Sequence, residues 1–249
     1  MEENQLKVIE WLKNQDIKGT ITGSCLLGYF ENSDVDCFVY DKSSFIKIYY
    51  LMAHNPMFQI LDELELWKAT KFEGNVDQFA KTGMLTIKYI FNTCIPVNII
   101  YKKDYNNIFD ILSNFDLDII CKGYDIQTKK YLDLTGDSTI TKIADINKWN
   151  TSFYDPELWQ MNRLLRQLER VFKYHSRGYN TDKVVLKYIK IIDSLQKMED
   201  IFHSENFSEK LKLNKENTKI IKQVCLAWLE NHTITDKELG LLKLKIREI

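Results

Sequence analysis

The chain has 249 residues, 45% of them hydrophobic and 12% aromatic, with a formal net charge of −1. This composition excludes an intrinsically disordered chain and a strongly basic nucleic-acid coat protein. It leaves room for one large domain or two modest ones, each with its own core. Three prolines and nine glycines argue against a long flexible linker, and there is no internal repeat or low-complexity tract. No apolar run approaches the length of a membrane span. The N-terminal stretch MEENQLKVIEWLKNQ is charged and amphipathic, without the apolar core of a signal peptide, so a cytoplasmic protein with no membrane partner is expected. Five scattered cysteines (Cys25, Cys37, Cys94, Cys121, Cys225) read as buried free thiols, and the four histidines do not cluster as zinc ligands.

In chain order, residues 3–14 carry Leu6, Val8, Ile9, Trp11 and Leu12 at helical spacing and predict a helix packed on a sheet. A short strand, Ile17 to Ile21, runs into Gly23-Ser24 and a helical turn from Cys25 to Phe30. After the polar turn Glu31-Asn32-Ser33 comes the strand Asp34–Tyr40. Side chains two apart on a strand share a face, so Asp34 and Asp36 project together while Val35 and Cys37 turn away. Neighbouring carboxylates repel each other unless a cation sits between them, which marks this edge as a metal-binding candidate. A Gly-Ser bend at a helix N-terminus offers backbone N–H groups and a hydroxyl, which suit phosphate.

The stretch Asp41-Lys42-Ser43-Ser44 caps a helix from Phe45 to His54, ended by Asn55-Pro56, and residues 57–73 are ambiguous between helix and strand. Strands are expected at Met84–Phe91, Pro96–Tyr101 and Phe115–Cys121, with a hairpin at Asn92-Thr93-Cys94 and a short helix over Asp104–Ser113. From Asp155-Pro156 the pattern turns helical. Leu158, Met161, Leu164, Leu165, Leu168, Val171 and Phe172 form an apolar stripe, and Gly178 stands as a C-cap. Further helices are expected from Thr181-Asp182 to Ile201, over 207–231 and over 235–247. The fold class is α+β: a mixed-sheet domain over residues 1–150 followed by a helical domain over 151–249. The helical part is mildly basic and the sheet part mildly acidic.

Gly23-Ser24, about ten residues, then Asp34-x-Asp36 in an apolar strand resembles the signature of the polymerase-beta-type nucleotidyltransferases. The resemblance covers the first half of the chain. It implies that Gly23 and Ser24 hold the β- and γ-phosphates of a nucleoside triphosphate, and that Asp34 and Asp36 bind magnesium, with two ions expected. It also implies a third acid on a neighbouring strand. Where that acid is expected, in Pro96-Val97-Asn98-Ile99-Ile100, stands Asn98, whose oxygen can ligate a metal but which cannot act as a base. Asp116 and Asp118 are the alternatives, one face of an expected strand, or else merely a solvated face.

The segments 115–125 and 170–180 also resemble stretches of uncharacterised nucleotidyltransferase-like proteins from phages and large DNA viruses. Arg163, Arg166, Arg170, Lys173 and Arg177 recur at helical spacing, either as a cationic wall for triphosphate or RNA backbone or as an ordinary solvated face. Tyr174 and Tyr179 read as core or surface packing ahead of base stacking, and His175 as structural or exposed. The function expected is magnesium-dependent transfer of a nucleoside monophosphate to an acceptor hydroxyl on RNA, a protein or a small molecule. The alternative is a catalytically impaired fold of the same kind that binds nucleotide or RNA.

Overall fold

A computed structural model describes residues 2–28, 33–60, 84–92, 95–147, 161–201 and 215–231. The chain divides into two compact units. The first comprises Met1–Phe115 with Ile120–Gly136, and the second comprises Asp116–Ile119 with Asp137–Ile249. The expected boundary at residue 150, like the Asp155-Pro156 helix start and Leu158, lies outside the described residues.

The first unit is a mixed seven-stranded sheet with helices. Its described elements are α1 (Glu2–Lys13), β1 (Gly19–Thr22), β2 (Val35–Val39), α2 (Lys42–Ala53), β3 (Phe58–Ile60), β4 (Met84–Phe91), β5 (Ile95–Lys102), α3 (Ile108–Ser113), β6 (Lys122–Asp125) and β7 (Lys130–Asp133). The strand order is β3-β4-β5-β2-β1-β6-β7, with β2 and β5 parallel and every other pair antiparallel.

Alternation along the strands gives the sheet two unlike faces. Val35, Cys37 and Val39 of β2, Ile95, Val97 and Ile99 of β5, and Ile87, Tyr89 and Phe91 of β4 are buried in one core cluster with α1 and α2. Helix α1 contributes Val8, Ile9 and Leu12, and α2 contributes Phe45, Ile48 and Met52. Asp41 caps α2 by accepting the Ser44 N–H at 2.7 Å, as its position before the apolar run predicts. Leu6 departs from expectation: it is half exposed, and the buried stripe of α1 runs Gln5, Val8, Ile9, Leu12, the i, i+3, i+4, i+7 spacing of one helix face. Gln5 repays its burial with a hydrogen bond of 2.6 Å to the Ser33 carbonyl, just ahead of Asp34.

The expected strand Phe115–Cys121 is not formed. Leu117 makes only an isolated bridge to Ile146, and Asp118–Ile120 is a 3-10 turn. Asp116 folds its carboxylate back onto the Leu117 N–H at 3.1 Å, and Asp118 accepts the Asp145 N–H at 2.8 Å. Such side-chain-to-backbone bonds compete with a strand ladder, which is why alternating aspartates misread as a solvated strand face. The strand comes a few residues later, as the β6–β7 hairpin. Its turn is pinned by Asp125, which accepts the Thr128 N–H and hydroxyl at 2.7 and 2.8 Å. The loop at 93–94 and most of the ambiguous stretch 57–73 lie outside the described residues, Phe58–Ile60 being a strand.

The second unit contains α4 (Ser138–Thr141), α5 (Met161–Ser176), α6 (Asp182–Ile201) and α7 (Lys215–Asn231). Leu168, Val171 and Phe172 of α5, Val184, Val185, Tyr188 and Ile192 of α6, and Val224, Cys225 and Trp228 of α7 are buried. Phe172 and His175 both pack on Trp228, with ring centroids 4.5 Å apart in each pair. Gly178 closes α5 with φ +87°, the left-handed cap expected of it. A helix over 235–247 falls outside the described residues.

Candidate cation and phosphate site

The second face of the sheet carries the site. Paired residues on neighbouring strands share a face, so the β1–β2, β2–β5 and β4–β5 registers place Thr22, Asp36, Asn98 and Lys88 in one row across four strands. Asp36 and Asn98 are half-buried and Lys88 is exposed. Toward β6 this face is covered by α3. A Cβ on Gly123, the partner of Thr22, would come within 3.1 Å of Ile108 Cδ1. Phe38, also on this face, packs against Tyr105 and Phe115.

Asp34 and Asp36 do project together, and Asn98 joins them. Its Nδ2 donates to Asp34 Oδ2 and to Asp36 Oδ1, each at 2.8 Å. With the amide reversed, its oxygen would stand against two carboxylate oxygens, so the hydrogen bonds fix its orientation. Asn98 thus stands on the strand paired with β2 and bridges the two acids. Among the described residues no group of three His, Cys, Asp or Glu side chains is placed to hold a metal ion.

Gly23 lies against the same carboxylate. Its φ of +102° and ψ of −178° belong to a region that only glycine populates, and a Cβ there would sit 3.3 Å from Asp36 Oδ2. The Gly-Ser bend is tied to the approach to β2 by a hydrogen bond of 2.8 Å between Ser24 Oγ and Ser33 Oγ, both buried. The bend leads into a single 3-10 turn, Ser24–Leu27, too short to build the aligned dipole of a helix N-terminus. Residues 29–32 lie outside the described residues. The negative field of the pair is felt nearby. Burial first, and then the charges of Asp36 and Asp34, push the Cys25 thiol up to about 12; burial and Asp36 push Cys37 up to about 12. Both are inert thiols at neutral pH.

The donor set fits a hard cation. Two carboxylates face one point, and Thr22, wholly buried opposite Asp36, has an Oγ1 without a hydrogen-bond partner on that face. Sequence reasoning missed Thr22, Gln5, Ser33 and Lys88. Their signal lies in strand register and long-range contact, neither of which a linear pattern carries.

The remaining expected residues belong to the second unit and have partners there. Asp116, 8% exposed at its side chain, pairs with Arg170 at 3.2 Å. Asp118 bonds the Ser138 hydroxyl and the Asp145 N–H, and burial raises its carboxyl above the usual range despite them. Asp145 is held by Lys183 and Lys187 at 2.5 and 2.7 Å. The side chains of Arg163 and Arg166 lie outside the described residues. Tyr174 and Tyr179 are buried edge-on to each other, in agreement with core packing. No described helix is long and apolar enough to cross a membrane.

No protein-family model and no curated protein matches the chain. Among solved structures it is similar to a CCA-adding enzyme in complex with CTP, at 14% identity and a TM-score of 0.43, over 95% of this chain and 61% of that one. It is also similar to the Thermotoga maritima CCA-adding enzyme complexed with tRNA, at 12% identity and a TM-score of 0.40, over 95% of this chain and 62% of that one. The chain thus spans about three fifths of the length of these enzymes.

Proposed function

We propose that this protein is a metal-dependent nucleotidyltransferase. It would transfer a nucleoside monophosphate from a nucleoside triphosphate to an acceptor hydroxyl on RNA, a protein or a small molecule. The observation that carries this reading is the convergence of Asp34 and Asp36 on one point, with Gly23 packed against Asp36. Asp34 and Asp36 would hold magnesium, which when bound supplies charge neutralisation for the triphosphate and orientation of the reacting oxygens. Asn98 fixes the spacing of the two acids, and its side chain cannot accept the proton of the attacking hydroxyl. That proton leaves as the new phosphodiester bond forms and pyrophosphate departs, and a group other than Asn98 takes it. Gly23, lacking a Cβ, leaves room for phosphate oxygens beside Asp36, and Ser24 anchors the bend through Ser33. Lys88, exposed at the end of the polar row, offers an ammonium to an anionic substrate.

Asn98 itself favours a second reading: a site that binds nucleotide or RNA with cation and turns over slowly or not at all. Incubating the full chain with each labelled triphosphate and magnesium, with and without RNA, separates the two. Label transfer by the wild type that is lost in Asp34→Ala/Asp36→Ala supports the enzyme. Transfer equal in both overturns it. Nucleotide binding without transfer, lost in the same double variant, leaves the binding module.

A further inference from the structure

Asn98 stands in register with Asp36 and spends both of its amide hydrogens on the two acids. The carboxylate oxygens it bridges lie no more than twice the 2.8 Å bond length apart. At that separation two unit charges repel by about 3 kcal/mol at an effective dielectric of 20. A donor shared between them offsets part of this, as a cation would, without adding charge. The site thus carries two formal negative charges where three acids would carry three. Among the described residues no third carboxylate, histidine or cysteine completes it. Thr22, in register with Asp36, has a buried hydroxyl without a hydrogen-bond partner and brings no charge.

We infer that Asn98 is a positioning residue that sets the cation stoichiometry of this site: it holds Asp34 and Asp36 ready as a pair while limiting the nucleotide-free protein to one weakly bound divalent cation. One divalent ion neutralises the pair completely, so a second would find no net negative charge to hold it and would leave the site at net positive charge. That ion also competes with the amide for the same two oxygens, which lowers its affinity further. The inference rests on the cation-binding part of the proposed function and says which residue tunes it.

The test is a Mn2+ titration of the full chain without nucleotide, followed by electron paramagnetic resonance and by thermal melting, for the wild type, Asn98→Asp and Asp34→Ala. The wild type is expected to bind no more than one ion. Asn98→Asp is expected to bind at least tenfold more tightly, with a melting temperature that rises more steeply with Mn2+ than that of the wild type. Asp34→Ala is expected to lose binding. If Asn98→Asp folds only when Mn2+ is present, that dependence is the expected effect in stronger form. A wild type that binds two ions, or an Asn98→Asp no tighter than the wild type while Asp34→Ala loses the ion, overturns the role of Asn98 and leaves the cation site standing. No binding by folded wild type or by folded Asn98→Asp overturns both.

Discussion

The chain spells Asp-x-Asp twice, at Asp34-Val35-Asp36 and at Asp116-Leu117-Asp118, and the two stretches end in opposite electrostatic states. At the first, the two acids share one neutral amide. At the second, Asp116 meets Arg170 and its neighbour's N–H, while Asp118 serves as a backbone acceptor beside the lysine-bound Asp145. The first pair retains ligand capacity facing outward from a strand. The second has spent its capacity on holding local backbone. Identical spelling therefore says little; what differs is the strand register that brings an amide to one pair and the turn that brings cations and N–H groups to the other.

Exchanging charge for amide breaks this comparison most sharply. In Asp34→Asn/Asp36→Asn, triphosphate turnover is expected to fall by a factor on the order of 10²–10³ or more. Melting should change little, because the change relieves the repulsion between two neighbouring carboxylates. In Asp116→Ala the reverse holds: a loss of roughly 1–3 kcal/mol in stability, with Mn2+ binding at the first pair unchanged. Parallel melts and Mn2+ titrations on both variants check this, and a destabilised Asp34→Asn/Asp36→Asn protein with normal turnover would invert the assignment.

Gly23→Ala tests the first site through its backbone. A side chain at φ +102° costs about 1–3 kcal/mol, and its Cβ would press on Asp36 Oδ2 from 3.3 Å. Lower stability together with weaker Mn2+ binding is expected. Lower stability with unaltered binding would separate the bend from the acids.

Asp145→Asn sharpens the second region. It removes two lysine contacts, worth about 1–2 kcal/mol because Lys183 lies largely in water. Burial raises the Asp145 carboxyl, but the Lys183 and Lys187 contacts and the Ile146 N–H together outweigh it and hold the group below the ordinary aspartate value. Its stabilising contribution is therefore full above that value, about 3.9, and is lost as pH falls through its lower folded value. Asp118, raised by burial, contributes with the opposite sign, its share being lost as pH rises through its folded value. The acid limb of an unfolding-versus-pH curve should flatten in Asp145→Asn. An unchanged limb would show that Asp145 does not govern it.

The smallest effect expected is chemical. With Cys25 and Cys37 pushed up to about 12 and buried, native protein at pH 8 should resist alkylation at both thiols, and urea should expose them together. Labelling mapped by mass spectrometry reads this directly.

Much of the scaffold was legible because it rests on local periodicity. The Met84–Phe91 strand, the Asp41 cap of α2, the Asp182–Ile201 helix and the Gly178 cap follow from alternation, capping chemistry and left-handed φ, all properties of neighbours in sequence. The common face of Asp34 and Asp36 followed in the same way. Other features were decided only by tertiary structure. These are the turn that replaced a strand at 115–121, the β6–β7 hairpin, the place of Gln5 on the buried side of α1, and the amide bridge from Asn98. Each depends on a partner far along the chain: Asp145 for Asp118, β1 for β6, Ser33 for Gln5, and the parallel register of β2 with β5 for Asn98. The chain's local spelling determined which side chains could share a face. Only the packing of strands side by side decided which of them met, because register is set by the whole buried face of a sheet and not by any stretch of it.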